Sequence, residues 1–130
     1  MISKPRPTSG DTSTSHANGT VVVGVDGTSS GLAALTEAAN DAVETHARVV
    51  CVHVRAEPML AEMMVLMAPY ATAVVSEWRD ALELEAWLHC VQVVEPRGVP
   101  WDFLVTYGRP ADALSEIAAA RGASAVYVGA

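Results

Sequence analysis

The sequence predicts an α/β domain built on an open, doubly wound parallel sheet with helices on both faces. Three observations carry this. Val21-Val22-Val23-Gly24-Val25 and Arg48-Val49-Val50-Cys51-Val52-His53-Val54 are short, β-branched and apolar almost throughout, as strands buried on both faces are. A helical pattern joins them, which makes a βαβ unit with a right-handed crossover. A further strand–helix–strand alternation ends at Ala125-Val126-Tyr127-Val128-Gly129. In such sheets ligands bind outside the carboxyl ends of the strands, where the strand order reverses. Asp26 closes the first strand and is therefore the first candidate for a functional role.

At 130 residues the chain is expected to form one domain with a real core. With 51% hydrophobic but only 5% aromatic residues, that core is built from Val, Ala and Leu. The net charge of −7 comes with no basic stripe, which argues against nucleic acid and against an anionic membrane surface as partners. No stretch reaches the apolar length of a membrane helix. Residues 1–19 are rich in Ser and Thr and lack the apolar centre of a signal peptide. They are read as a disordered tail, with the folded domain over 20–130. Two cysteines and no secretory leader suggest a reduced, cytoplasmic setting. Cys51 reads as a small core hydrophobe. His89-Cys90 is too sparse for a metal site, so none is expected.

The elements follow in order. Thr28 to Ala47 places Leu32, Leu35, Ala39, Ala42, Val43 and His46 on one helical stripe, capped by Ser29 or Ser30. His46, near its end, reads as a surface residue. His53 interrupts the second strand and reads as a hydrogen-bonded core histidine before a ligand. Glu57-Pro58 ends that strand. Met59 to Met67 carries four methionines. It is either a segment packed over the sheet or an adaptable surface for a protein partner.

Tyr70 to Val94 is helical, with Val74, Trp78, Ala81 and Leu82 on one face and Leu84, Trp87, Leu88, Val91 and Val94 on another. Either the helix bends or another subunit covers part of it, with Trp87 the expected contact. Pro96-Arg97-Gly98 breaks it. Trp101 to Tyr107 alternates and suits an edge strand. Pro110 fits a first helical turn, Leu114, Ile117 and Ala118 share a face, and Gly122 is a left-handed stop.

Three motifs in this order resemble the universal stress protein family over Val21 to Ala130. They are Val22-Val23-Gly24-Val25-Asp26-Gly27-Thr28 with Ser30 and Leu32, then Val50 to Val54, then Gly108-Arg109-Pro110-Ala111-Asp112-Ala113-Leu114 continued to Ala118 and Val126-Tyr127-Val128-Gly129. The resemblance implies an adenine nucleotide α-hydrolase-like sheet of strand order 3-2-1-4-5. Here the expected order is 3-2-1-4, with the fifth strand missing. It also implies that an adenine nucleotide such as ATP binds where strands one and four meet. Gly24, Val25 and Asp26 would contact the nucleoside, Val54 the adenine, and Val128 and Gly129 the phosphate side. Only Gly129 and Ala130 of the family's glycine-rich phosphate loop are present, which weakens triphosphate binding most. The fourth strand then becomes an edge, which favours a homodimer or other self-association.

Three functions compete. The first is a regulatory module binding an adenine nucleotide. The second is a scaffold of the same fold that binds none and acts through dimerisation and protein interaction. The third, an enzyme, lacks a base or metal clamp near a reacting atom, and no catalytic residue is assigned. Asp26 itself has two readings, ligand contact or a turn and cap for the next helix.

Overall fold

The computed structural model describes residues 2–4, 19–55, 66 and 71–129. Its elements are β1 (Ile2–Lys4), β2 (Thr20–Gly24), α1 (Ser29–Thr45), β3 (Arg48–Arg55), α2 (Ala71–Val93), a 3-10 turn (Glu95–Arg97), β4 (Trp101–Tyr107), α3 (Pro110–Arg121) and β5 (Ala125–Tyr127). The sheet order is β1-β4-β3-β2-β5. β4, β3, β2 and β5 run parallel to one another, so the expected 3-2-1-4 core of the sheet is present.

The alternation of side chains along each strand separates two cores. Val21, Val23, Val25, Val49, Cys51, Trp101 and Phe103 pack beneath α1 and α2. Val22, Val50, Val52 and Leu104 pack on the other face against Leu114 and Ile117 of α3. From β2 the chain winds first towards β3 and β4 and then returns to β5. Right-handed crossovers in the two directions demand helices on opposite faces. The switch point therefore falls between β2 and β5.

Four differences from the sequence reading have physical causes. First, Ile2–Lys4 pairs antiparallel with β4, so part of the segment read as a tail is a strand and β4 is not the edge; residues 5–18 lie outside the described residues. Second, Trp87 does not face outwards to a partner. Its ring lies 5.5 Å from Trp101 and 5.5 Å from Phe103, edge-on to the latter. Ala86 and Cys90 of α2, with Val94 just past its end, form a buried stripe, while Leu84 and Leu88 stay exposed. Third, α1 is capped by Thr28, whose side chain accepts from the Gly31 amide, and not by either serine. Its buried stripe runs through Ala34, Leu35, Ala38, Ala39 and Ala42, and Val43 is exposed. Fourth, β5 is not a strand buried on both faces, since Val126 is exposed.

Other expectations hold. His46 is exposed and takes the left-handed C-cap of α1, Pro110 opens α3, and Gly122 ends it with φ of 59°. The segment Met59 to Met67 lies outside the described residues apart from an exposed Leu66, as do Glu57 and the side chains of Val74 and Trp78.

Candidate ligand crevice

At the switch point β2 does not end abruptly. The Val25 amide donates to the Val52 carbonyl at 2.9 Å, which extends the ladder by one residue. The Val25 carbonyl then receives His53 Nδ1 at 2.8 Å. A carbonyl can only accept, so Nδ1 carries the proton. His53 is 6% exposed. It is the hydrogen-bonded core residue expected from sequence, and it pins the tip of β2 to β3.

Asp26 is the first residue beyond that latch, and it is exposed. Its Oδ1 accepts from the Thr28 amide at 3.0 Å and from the Thr28 hydroxyl at 2.5 Å. Thr28 Oγ1 in turn accepts from the Gly31 amide at 3.2 Å. Thus the carboxylate organises the turn into α1, one of its two readings. No described residue bonds the other oxygen, Oδ2, leaving it free for a ligand hydroxyl. Gly27 within this turn has φ of 81°, and a β-carbon there would lie 2.9 Å from the Leu82 carbonyl of α2. Only glycine combines that backbone with that approach.

A crevice of about 220 Å³ opens beside this turn. Gly24, Val25 and Asp26 form one wall, Val54 lies along β3, and Val128 and Gly129 close the far side. All six residues singled out from sequence meet there. Val52, Pro110 and Leu114 complete the lining. These three were missed, although their positions were readable: Val52 shares a sheet face with Val54, and Pro110 and Leu114 lie on the helix that covers that face. Gly129 presses on the start of α1. A β-carbon on it would lie 2.7 Å from the Ser30 carbonyl.

Among the described residues the lining is mainly apolar, and Asp26 is its one acidic or basic side chain. Arg55, at the tip of β3, is held elsewhere by Glu83, through Nε at 3.0 Å and Nη2 at 2.7 Å, and by Asp80 at 3.0 Å. At the start of α1 the Thr28 and Gly31 amides are taken by the side chains of Asp26 and Thr28, two of the four amides that a helix start leaves free. What the crevice can do is hold a flat apolar group against Leu114 and Pro110 and offer one carboxylate oxygen to a hydroxyl. A larger open groove, about 460 Å³, lies between Tyr107, Arg109 and Glu116, but it sits away from the switch point. Among the described residues no cluster of metal-ligating side chains is present. Nor is any helix there long and apolar enough to cross a membrane.

The profile of the universal stress protein family matches residues 17–130. The chain belongs to that family. Solved relatives share the fold. A universal stress protein in complex with cAMP is 24% identical with a TM-score of 0.56, over 85% of this chain and 71% of its own. One from Lactobacillus plantarum is 21% identical with a TM-score of 0.62, over 86% and 77%. One from Archaeoglobus fulgidus is 16% identical with a TM-score of 0.59, over 86% and 75%. None of the curated proteins compared with the chain matches it. As a universal stress protein, the chain carries the family's α/β fold with the crevice at its switch point.

Proposed function

We propose that this universal stress protein is a regulatory module that binds an adenine nucleotide in the β2–β5 crevice, chiefly through the nucleoside. The observation that carries the reading is the convergence of Gly24, Val25, Asp26, Val54, Val128 and Gly129 on one cavity. The base lies on the apolar surface of Val54, Pro110 and Leu114. Asp26 Oδ2 accepts from a ribose hydroxyl, and the bare backbone at Gly129 admits the sugar. A relative in complex with cAMP supports the ligand class. ATP is one member of that class, but the crevice favours it least. Its volume of about 220 Å³ is below the ~300–1,000 Å³ of typical small-molecule sites. Among the described lining residues a lone carboxylate with no cation beside it disfavours a polyphosphate.

Thermal unfolding with ligand tests this. Adenosine at about 100 times its Kd stabilises by about 2.7 kcal/mol, a rise of several degrees in Tm. The reading expects adenosine to raise Tm at least as much as ATP. If adenosine, cAMP and ATP all leave Tm unchanged at millimolar concentration, the crevice is not a nucleotide site.

That outcome would favour the second reading, a scaffold acting through self-association. Its support is the exposed apolar edge at β5, where Val126 is 44% and Val128 61% exposed. Unpaired strand edges of this kind invite a second chain.

A further inference from the structure

α2 carries two apolar stripes, and the core of this chain uses one of them. Ala86 and Cys90 are buried, and Trp87 joins them against Trp101 and Phe103. A helix lying on one sheet needs no second stripe. Yet Leu84 is 57% and Leu88 39% exposed. Exposed Ala81 precedes them on the same face, and half-buried Val91 follows. These four recur at steps of three, four and three residues, the a and d spacing with which one helix receives another. Adjacent apolar side chains in water, rimmed by polar ones, mark an interaction surface.

The rim says which kind of helix fits. Asp80 flanks the stripe on one side and Glu85 on the other, with side chains 65% and 56% exposed. Arg55 answers Asp80 and Glu83 together, one cation to two carboxylates. Glu85 lies 3.6 Å from His89, a partner that is charged only when protonated. From Asp80 to Glu95 the sequence holds no Lys or Arg. A second copy of the chain therefore leaves this rim unanswered. In a parallel pair Asp80 would stand against Glu85 of the copy, and an antiparallel pair of these segments gains no ion pair. Each chain also carries a net charge of −7, which opposes self-pairing and an anionic lipid surface alike.

We propose that the outer face of α2 docks an amphipathic helix of another protein whose apolar stripe is flanked by Lys or Arg. The apolar side chains of that helix cover Leu84 and Leu88, and its cations meet Asp80 and Glu85. Burial supplies most of the affinity in such helix-on-helix recognition, and the charges select the partner.

The test uses the full chain and a fluorescently labelled synthetic peptide of about 20 residues, long enough to hold a helix, with Leu at its a and d positions and Lys beside them. We expect saturable one-to-one binding by anisotropy, with a gain of helical circular dichroism. Leu84→Gln combined with Leu88→Gln should weaken binding by about tenfold or more. Because both side chains are exposed, Tm should stay within a few degrees of the parent. Glu85→Gln should weaken binding about twofold to fivefold at low salt, a difference that fades at high salt. The same peptide with Glu in place of Lys should not bind. Equal affinity of the parent and the double variant would overturn the proposal, as would equal binding of the Glu peptide or no saturable binding at all. So would a concentration-dependent dimer, seen by sedimentation and lost in the double variant, which would assign the stripe to a second copy.

Discussion

His53 Nδ1 lies 2.8 Å from the carbonyl oxygen of Val25. That bond joins two neighbouring strands at their carboxyl ends, one residue before the candidate ligand carboxylate. Removing it leaves the Val25 carbonyl without its partner. His53→Leu should therefore lower stability by about 1–3 kcal/mol, read as a shift in the urea midpoint with an unchanged m-value. It should also weaken adenosine, because the wall carrying Asp26 loses its anchor. A variant as stable as the parent would show that the bond does not hold the strand tip.

Gly129 gives a more local test. A side chain there meets the Ser30 backbone, which cannot yield as a flexible side chain would. Gly129→Ala should displace the far lip of the crevice and weaken adenosine about tenfold, equivalent to ~1.4 kcal/mol. Calorimetric titration of the variant beside the parent measures this directly.

The sequence made the wound sheet legible for a physical reason. Strands buried on both faces are apolar nearly throughout, as Val21–Val25 and, but for His53, Val49–Val54 are. It made the crevice legible through the resemblance to the universal stress protein family, which implies the strand order and with it the point where that order reverses. The edges were less legible. Ile2–Lys4 is too short to show a period, yet pairing with β4 satisfies its backbone. Trp87 was misplaced because helical periodicity gives a face but not its neighbour; Trp101 and Phe103 supply an aromatic surface inside the chain. The α1 cap was assigned to the wrong hydroxyl because Thr28 is selected by the Asp26 turn, a local bond that composition does not reveal.

The internal position of Trp87 has a measurable cost. Trp87→Ala removes its contacts with both rings and should destabilise by about 3 kcal/mol, the lower end for such truncations because the ring is only half-buried. Leu84→Ala, at an exposed position on the same helix, should stay within about 0.5 kcal/mol. Equal costs at the two sites would contradict the assigned packing of α2.

Tyr127 links β5 to α1. Its hydroxyl donates to Asp41 Oδ2 at 2.8 Å. That bond, followed by burial, raises the phenol pKa above its usual 10.0. A raised folded-state pKa means that the folded chain keeps a proton the unfolded chain releases. The contribution is thus fully present below pH 10 and is lost as pH rises through the folded value. The stability difference between the parent and Tyr127→Phe should be constant near neutrality and shrink above pH 10. A difference independent of pH would remove the phenol from that role.

The crevice itself is tested most directly by two-dimensional amide NMR during a titration with adenosine. The account predicts that the largest shifts fall on Gly24, Asp26, Val54 and Gly129, and that Asp26→Ala weakens the response without unfolding the sheet. Saturable shifts clustered instead around Tyr107 and Arg109, or no saturable shifts at millimolar adenosine, would contradict it.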